Sequence, residues 1–412
     1  MTLAQKFLAG IALVLLLAAC RQSDSEPAET GMQAPVVDPP EIANADPGSA
    51  DDPYLWLEDV LGEAALDWVR TENERTLGVL ETDPRFHELE ARALNIYNAT
   101  DKIVYADRHG DEMHDLWRDE NNVRGVWRKT SVAAYASGAP IWETVLDIDA
   151  LAEKEGRNWV YKGRTCLMSE KRCLVRLSDG GTDSVVLREF DVETQQFVEG
   201  GFESPNSKQW VAWADENTLM IATGFGDGTY NTSGYPRQVR LWDRDTPLED
   251  ARLLFEGPAS DAIEAPVVSR RDDGTHALVM QIPRFFTATL HLVNEDESLS
   301  TLALPHDVSF QGFMGTRVIA LLRSEWSLGD LSVPGGSVIS VELTDLVEGS
   351  PEDSLEPVYT PDASSSVEDV TVTRDRVFVS ILSNVTGKLL AASLVDGNWK
   401  LGTVGLPPNG TL

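Results

Sequence analysis

Basic residues are scarce in this chain. Its 412 residues hold 34 lysines and arginines against 67 aspartates and glutamates, a formal net charge of −33. A surface this acidic repels phosphate backbones and anionic lipid headgroups, which argues against nucleic acid as a partner. The acids are spread along the chain, so they read as solvated faces. Cysteine is nearly absent, with Cys20, Cys166 and Cys173 alone. A zinc site needs about four close ligands, and no such grouping is evident. Among six histidines, His109 and His114 flank Asp111 and Glu112. Their spacing suits no common metal site, and the segment reads as a turn between strands. No cofactor or metal is expected. No glycine-rich phosphate loop precedes a helix, because Gly224 to Gly228 lies between strand-like runs. The apolar run Phe7 to Leu17 is too short to span a bilayer comfortably.

That run does suit a targeting segment. Lys6 supplies the positive end, and Leu17-Ala18-Ala19-Cys20 matches a bacterial lipoprotein cleavage box. Residues 1–19 are then a lipoprotein signal peptide. Cys20 becomes the lipid-bearing N-terminus, its sulfur the nucleophile for acylation. The alternative is an ordinary secretory signal in which Cys20 is incidental. Residues 20–50, with five prolines and no aromatic residue, cannot bury enough surface to fold and read as a disordered tether. The expected location is the bacterial envelope, facing the periplasm, with the lipid anchor as the membrane contact.

Residues 51–101 read as a helical arm. Leu57, Leu61, Ala65, Trp68 and Val69 recur at helical spacing, and so do Phe86, Leu89, Ala93, Leu94 and Tyr97. Asp83 suits the N-cap of the second helix and Pro84 its first position. From residue 102 onward the pattern changes to short strand-like runs, starting with Ile103-Val104-Tyr105 and split by turn clusters such as Asp179-Gly180-Gly181. About six groups of four runs begin near 102, 158, 208, 264, 308 and 365. Residues 102–412 are therefore mainly β: a β-propeller of about six four-stranded blades. A β-sandwich would not give so many comparable units. Cys166 and Cys173 flank a polar connection between strand-like runs, so they read as a disulfide across a hairpin. Two free buried thiols are the alternative.

The segment Asp52-Pro53-Tyr54-Leu55-Trp56-Leu57-Glu58-Asp59, followed by Trp68-Val69-Arg70-Thr71-Glu72-Asn73, resembles the N-terminal signature of the prolyl oligopeptidase family of serine peptidases. Residues 143–152, Asn158-Trp159-Val160, Arg188-Glu189-Phe190-Asp191 and Ser233-Gly234-Tyr235-Pro236-Arg237 resemble the first half of the propeller in bacterial members. The resemblance implies a helical arm beside a C-terminal α/β-hydrolase domain, with a gating propeller of about seven blades between them. It also implies cleavage of short peptides after proline by acyl transfer from a serine. That chemistry needs a serine on a sharp strand-to-helix turn with Asp and His partners, and no G-x-S-x-G is present. Gly335-Gly336-Ser337-Val338 comes nearest, but Val338 leads into a β-branched run. His306-Asp307 reads as a loop. No catalytic residue is therefore assigned within these 412 residues, and the hydrolase domain is the missing partner. The loop from Gly224 to Arg237 holds the candidate cavity-lining groups Phe225, Tyr235 and Arg237. Arg237 either grips a peptide carboxylate or carbonyl or pairs with a nearby acid. The rival reading is a non-enzymatic, lipid-anchored propeller that binds a protein or peptide partner.

Expressed in a Gram-negative host, the chain should partition into detergent and carry a lipid mass on Cys20 that Cys20→Ala abolishes. Correctly processed protein with an unmodified Cys20 would refute the anchor.

Overall fold

The computed structural model describes residues 52–407 apart from positions 60, 168, 170, 272 and 273. The signal peptide, the tether and Cys20 lie outside the described residues. Those described form two compact units: residues 52–105 with 118–123, and residues 106–117 with 124–407.

The first unit is helical. A 3-10 turn, Leu55–Glu58, precedes helices α1 (Glu63–Leu80) and α2 (Phe86–Tyr97). The sequence periodicity places Leu57 and Leu61 on the face of α1, but the helix begins only at Glu63. The break is Gly62, whose backbone is extended and whose N–H closes a turn on the Asp59 carbonyl at 2.9 Å. A side chain there would meet Asp59 Oδ2 at 2.5 Å. Leu61 is left 87% exposed. The reversal brings Trp56 edge-on to Trp68, ring centroids 6.2 Å apart, a pairing worth about 0.5–1.5 kcal/mol beyond its buried area. The sequence places Asp83 at the N-cap of α2 and Pro84 at its first position, but the helix begins at Phe86 with Arg85 as its N-cap and no side-chain cap; Asp83 Oδ1 accepts the Arg85 N–H at 2.9 Å in the turn before it. Along both helices only Ala65 is buried. Leu77, Val79, Leu80, Leu89, Leu94 and Ile96 all face solvent.

The second unit is a β-propeller. Six antiparallel sheets span 107–147, 159–207, 210–256, 263–301, 309–359 and 365–404. In each, strand order follows chain order. The fifth adds a small hairpin, Trp326–Leu328 with Leu331–Val333, between its second and third strands. The second adds an edge strand, Glu203–Ser207. Residues 103–105 form no strand, since the first sheet opens at Asp107–His109. Ile103 and Tyr105 are 76% and 85% exposed.

Alternation along the strands builds the core. In Val377–Ser383, Val377, Val379 and Ile381 are buried on one face. They meet Ile319 and Val338 of the fifth sheet. Leu278 and Leu290 of the fourth sheet meet Phe313 and Ile339 of the fifth. Met220 and Val239 of the third meet Val279 of the fourth. Leu174 and Leu187 of the second meet Leu219 and Ile221 of the third. Trp127 and Val145 of the first meet Val175 and Phe190 of the second. Every neighbouring pair thus has its own apolar layer. Among the described residues no such cluster joins the sixth sheet to the first.

Cys166 and Cys173 are directly opposed on the first two strands of the second sheet, with their sulfurs 1.97 Å apart. Cys173 is fully buried in the layer against the first sheet. His114 is buried in the first sheet. The Trp127 indole N–H donates to its Nδ1 at 3.0 Å, so the ring proton sits on Nε2, 3.3 Å from Glu112 Oε2. The His109 ring meets it edge-on. Burial, and then the nearby charges of Arg164 and His109, hold the pKa of His114 down at about 4. Among the described residues no group of three or more His, Cys, Asp or Glu could hold a metal ion.

Two outcomes follow. Replacing both Cys166 and Cys173 by alanine should cost up to about 2.5 kcal/mol in urea unfolding, the chain-entropy value for so short a loop. Equal stability with and without the bond would contradict this. For His114 the folded pKa lies below the ordinary histidine value. As pH falls from about 6.5 towards 4, the unfolded chain takes up a proton that the folded chain refuses, and stability drops. His114→Gln should flatten that acid-side slope in thermal unfolding. An unchanged slope would show that another group sets it.

Candidate functional site

A four-stranded meander returns to the end at which it started. Each sheet's second-to-third connection, its entry and its exit therefore lie at one end of the propeller, and its hairpin turns lie at the other. The 223–237 loop joins the strands Thr218–Ala222 and Gln238–Asp243, the second and third of their sheet. It lies at the end where the strand Asp107–His109 begins and Asn398–Val404 finishes.

Turn chemistry shapes this loop. The Asn231 carboxamide oxygen accepts the N–H groups of Ser233 and Tyr235, each at 2.9 Å. Its amide nitrogen donates to the carbonyls of Asp261 and Ala262 at 2.7 and 2.9 Å. Asparagine suits the task because one short side chain both closes the turn and bridges to the next strand connection. Gly224 lets the Tyr230 hydroxyl lie over it, since a Cβ there would come 1.6 Å from that oxygen.

Each candidate group in the loop has a definite setting. Phe225 is half-buried, packs on the layer between the second and third sheets, and lies under the Arg240 guanidinium at 4.1 Å. Tyr235 stacks on Trp210 at 5.6 Å, with the Lys208 ammonium over its ring at 3.8 Å. Arg237 donates from Nε to the Gly257 carbonyl at 2.8 Å and from Nη1 to the Gly228 carbonyl at 2.9 Å. Its Nη2 pairs with Glu256 Oε1 at 2.6 Å. Its donors already hold the loop, so the pairing with an acid is the arrangement the structure contains.

Beneath the loop is a feature that sequence reasoning missed. Glu264, on the first strand of the fourth sheet, is fully buried, and neither carboxyl oxygen has a donor. Asp261, also buried and interacting with Glu264, accepts at Oδ2 from Gln281 Nε2 at 2.6 Å. Burial and then the Asp261 charge push the Glu264 pKa up to about 8, and Arg237 opposes them. In sequence these are two acids among 67, and only the folded sheet shows which are buried together.

A cavity of about 400 Å³ lies elsewhere. Leu167, Ser169, Asp215, Glu216, Asn217, Thr218 and Arg270 line it. The 214–217 turn joins a first to a second strand, so this cavity sits at the end opposite the loop. Phe225, Tyr235 and Arg237 do not line it. Ser337 is fully buried, 3.2 Å from Thr360 Oγ1, and runs directly into the strand Val338–Glu342 instead of into a helix. His306 faces Thr289 Oγ1 at 3.1 Å, while Asp307 accepts from Ser324 at 2.5 Å, so these neighbours bond apart.

The sequence pattern of the prolyl oligopeptidase N-terminal β-propeller domain matches residues 37–412. An uncharacterized peptidase of Sinorhizobium fredii is 35% identical over 88% of this chain and 51% of its own length. An uncharacterized peptidase of Rickettsia prowazekii is 27% identical over 84% of this chain and 50% of its own. The structure of a post-proline cleaving enzyme from Rickettsia typhi superposes with a TM-score of 0.78 at 26% identity, over 84% of this chain and 52% of that one. The chain thus spans about half the length of the relatives it matches. With six propeller sheets, a helical arm and this match along nearly all its length, the chain belongs to the prolyl oligopeptidase family, as that family's N-terminal β-propeller domain.

Proposed function

We propose that these residues are the arm and gating propeller of an exported, lipid-anchored serine peptidase that cleaves short peptides after proline. Catalysis would come from an α/β-hydrolase domain beyond residue 412. The observation that carries this reading is length, for the chain spans about half of each peptidase it matches. The apolar side chains along α1 and α2 support it. Exposed leucines, valines and isoleucines on two adjacent helices are surface that a second domain would cover. Among the described residues no apolar cluster joins the sixth sheet to the first, as a seventh sheet drawn from downstream sequence would require.

On this reading the 223–237 loop borders the cavity between propeller and hydrolase, because it lies at the end where the chain leaves the sixth sheet. Tyr235, half-buried between Trp210 and Lys208, would present the edge of its ring to a peptide. The envelope location rests on Lys6, the Phe7 to Leu17 run and Cys20.

Residues 1–412 and a chain extended through the downstream reading frame should be compared with a fluorophosphonate serine probe and a chromogenic proline peptide. The extended chain should label at one serine and cleave after proline, and the 412-residue chain should do neither. Stoichiometric labelling of 1–412, or an extended chain that labels but ignores proline, would overturn the proposal. An immediate stop codon would favour the non-enzymatic propeller instead.

A further inference from the structure

The strand connection 257–262 is held between two partners. On one side is the 223–237 loop. Asn231 donates to the Asp261 and Ala262 carbonyls, and the Thr232 N–H to the Ala259 carbonyl at 3.0 Å. Arg237 donates from Nε to the Gly257 carbonyl, and the Gly257 N–H returns to the Arg237 carbonyl at 2.8 Å. On the other side is Glu264. Its Oε1 lies so close over Gly257 that a Cβ there would be 1.8 Å away. Whatever moves Glu264 or Asp261 therefore moves the connection, and the connection carries the loop.

Two carboxylates side by side offer only acceptors, and no donor reaches either Glu264 oxygen. They can approach only through a proton carried on one of them. We infer that Glu264 and Asp261 share a single buried proton, and that this proton latches the 223–237 loop onto the propeller. Loss of the proton places two negative charges in a site closed to water, which is costly unless the site opens. The charged groups around the pair do not relieve it. Arg237 is committed to Gly257, Gly228 and Glu256. Glu256 is itself negative and also takes the Gln238 amide at 3.0 Å. His291 reaches the pair only through Gln281, whose Oε1 is 3.2 Å from its Nε2, and burial lowers its pKa. The raised pKa of Glu264, about 8, puts the release on the alkaline side. The sign is fixed by the folded state: the closed loop binds the proton, so closure is fully favoured below the ordinary glutamate pKa, weakens as pH rises towards about 8, and changes no further above it. The latch stands on the loop's own geometry and holds whatever follows residue 412.

Amide hydrogen exchange of the full 412-residue chain tests it, corrected for the intrinsic rate at each pH. Loop amides within 223–237 should lose protection by up to about tenfold per pH unit as pH rises from the ordinary carboxylate range towards about 8, the response to one proton, and level off above it. Those of the strand Val338–Glu342 should show no step. In Glu264→Gln the side-chain amide can donate to Asp261, so the loop should stay protected and flat with pH. Asp261→Asn should do the same by donating to Glu264, and it serves if the first variant does not fold. A loop without a step in the wild-type chain, or a step that survives in a folded variant, would overturn the latch.

Discussion

Everything in the second unit depends on sheets packing face to face. A four-stranded meander has two faces and cannot bury either alone. Its strands become stable when the neighbouring sheet supplies the other half of an apolar layer. Leu219 and Ile221 need Leu174 and Leu187 as much as those need them. Fully burying each such side chain contributes roughly 1.5–3 kcal/mol, against a backbone ordering cost of about 1–2 kcal/mol per residue. The layers therefore have to be continuous from sheet to sheet. The series stops between the sixth sheet and the first, where no cluster of this kind is found among the described residues.

Loops in such a scaffold inherit rigid ends and are free to carry chemistry. The 223–237 loop is held by hydrogen bonds, with Phe225 anchored in the apolar layer below. Asn231 and Arg237 are spent on backbone carbonyls, and Phe225 is drawn into the core below. That leaves Tyr235, half-buried with Lys208 above it and Trp210 behind, as the candidate whose side chain is spent neither on backbone carbonyls nor on the core. Polar anchoring of this kind is directional, and its strength depends on the charge state of the groups beneath it. Glu264 and Asp261 give the loop a dependence on pH that an apolar anchor would lack.

The acidic composition has a structural counterpart. Arginines pair with acids across strands and between sheets, as Arg317 of the fifth sheet does with Glu342 and Glu356 and Arg244 of the third with buried Glu189 of the second. With half as many basic residues as acidic ones, most acids stay in water. The few that are buried stand out by their neighbours: Glu189 has Arg244 and the Phe202 N–H, and Glu264 has only Asp261.

Much of the fold was legible from the residues. Strand alternation and turn clusters are local properties, so the six sheet starts read near 102, 158, 208, 264, 308 and 365 lie close to those found at 107, 159, 210, 263, 309 and 365. The largest miss is residues 103–105, a strand-like run with no strand beside it, because pairing is not a local property. The helix start failed for a related reason: periodicity carried Leu57 and Leu61 into α1, while Gly62 turned the chain one step before it. The family signature around Trp56 and Trp68 was equally local and needed no coordinates. What the sequence determined by itself was therefore class, order and kinship. Tertiary structure alone decided that Arg237 is spent on Gly257, Gly228 and Glu256, and that Glu264 lies against Asp261 beneath the loop. Burial and charge pairing depend on residues brought together from distant strands, and no window along the chain contains that information.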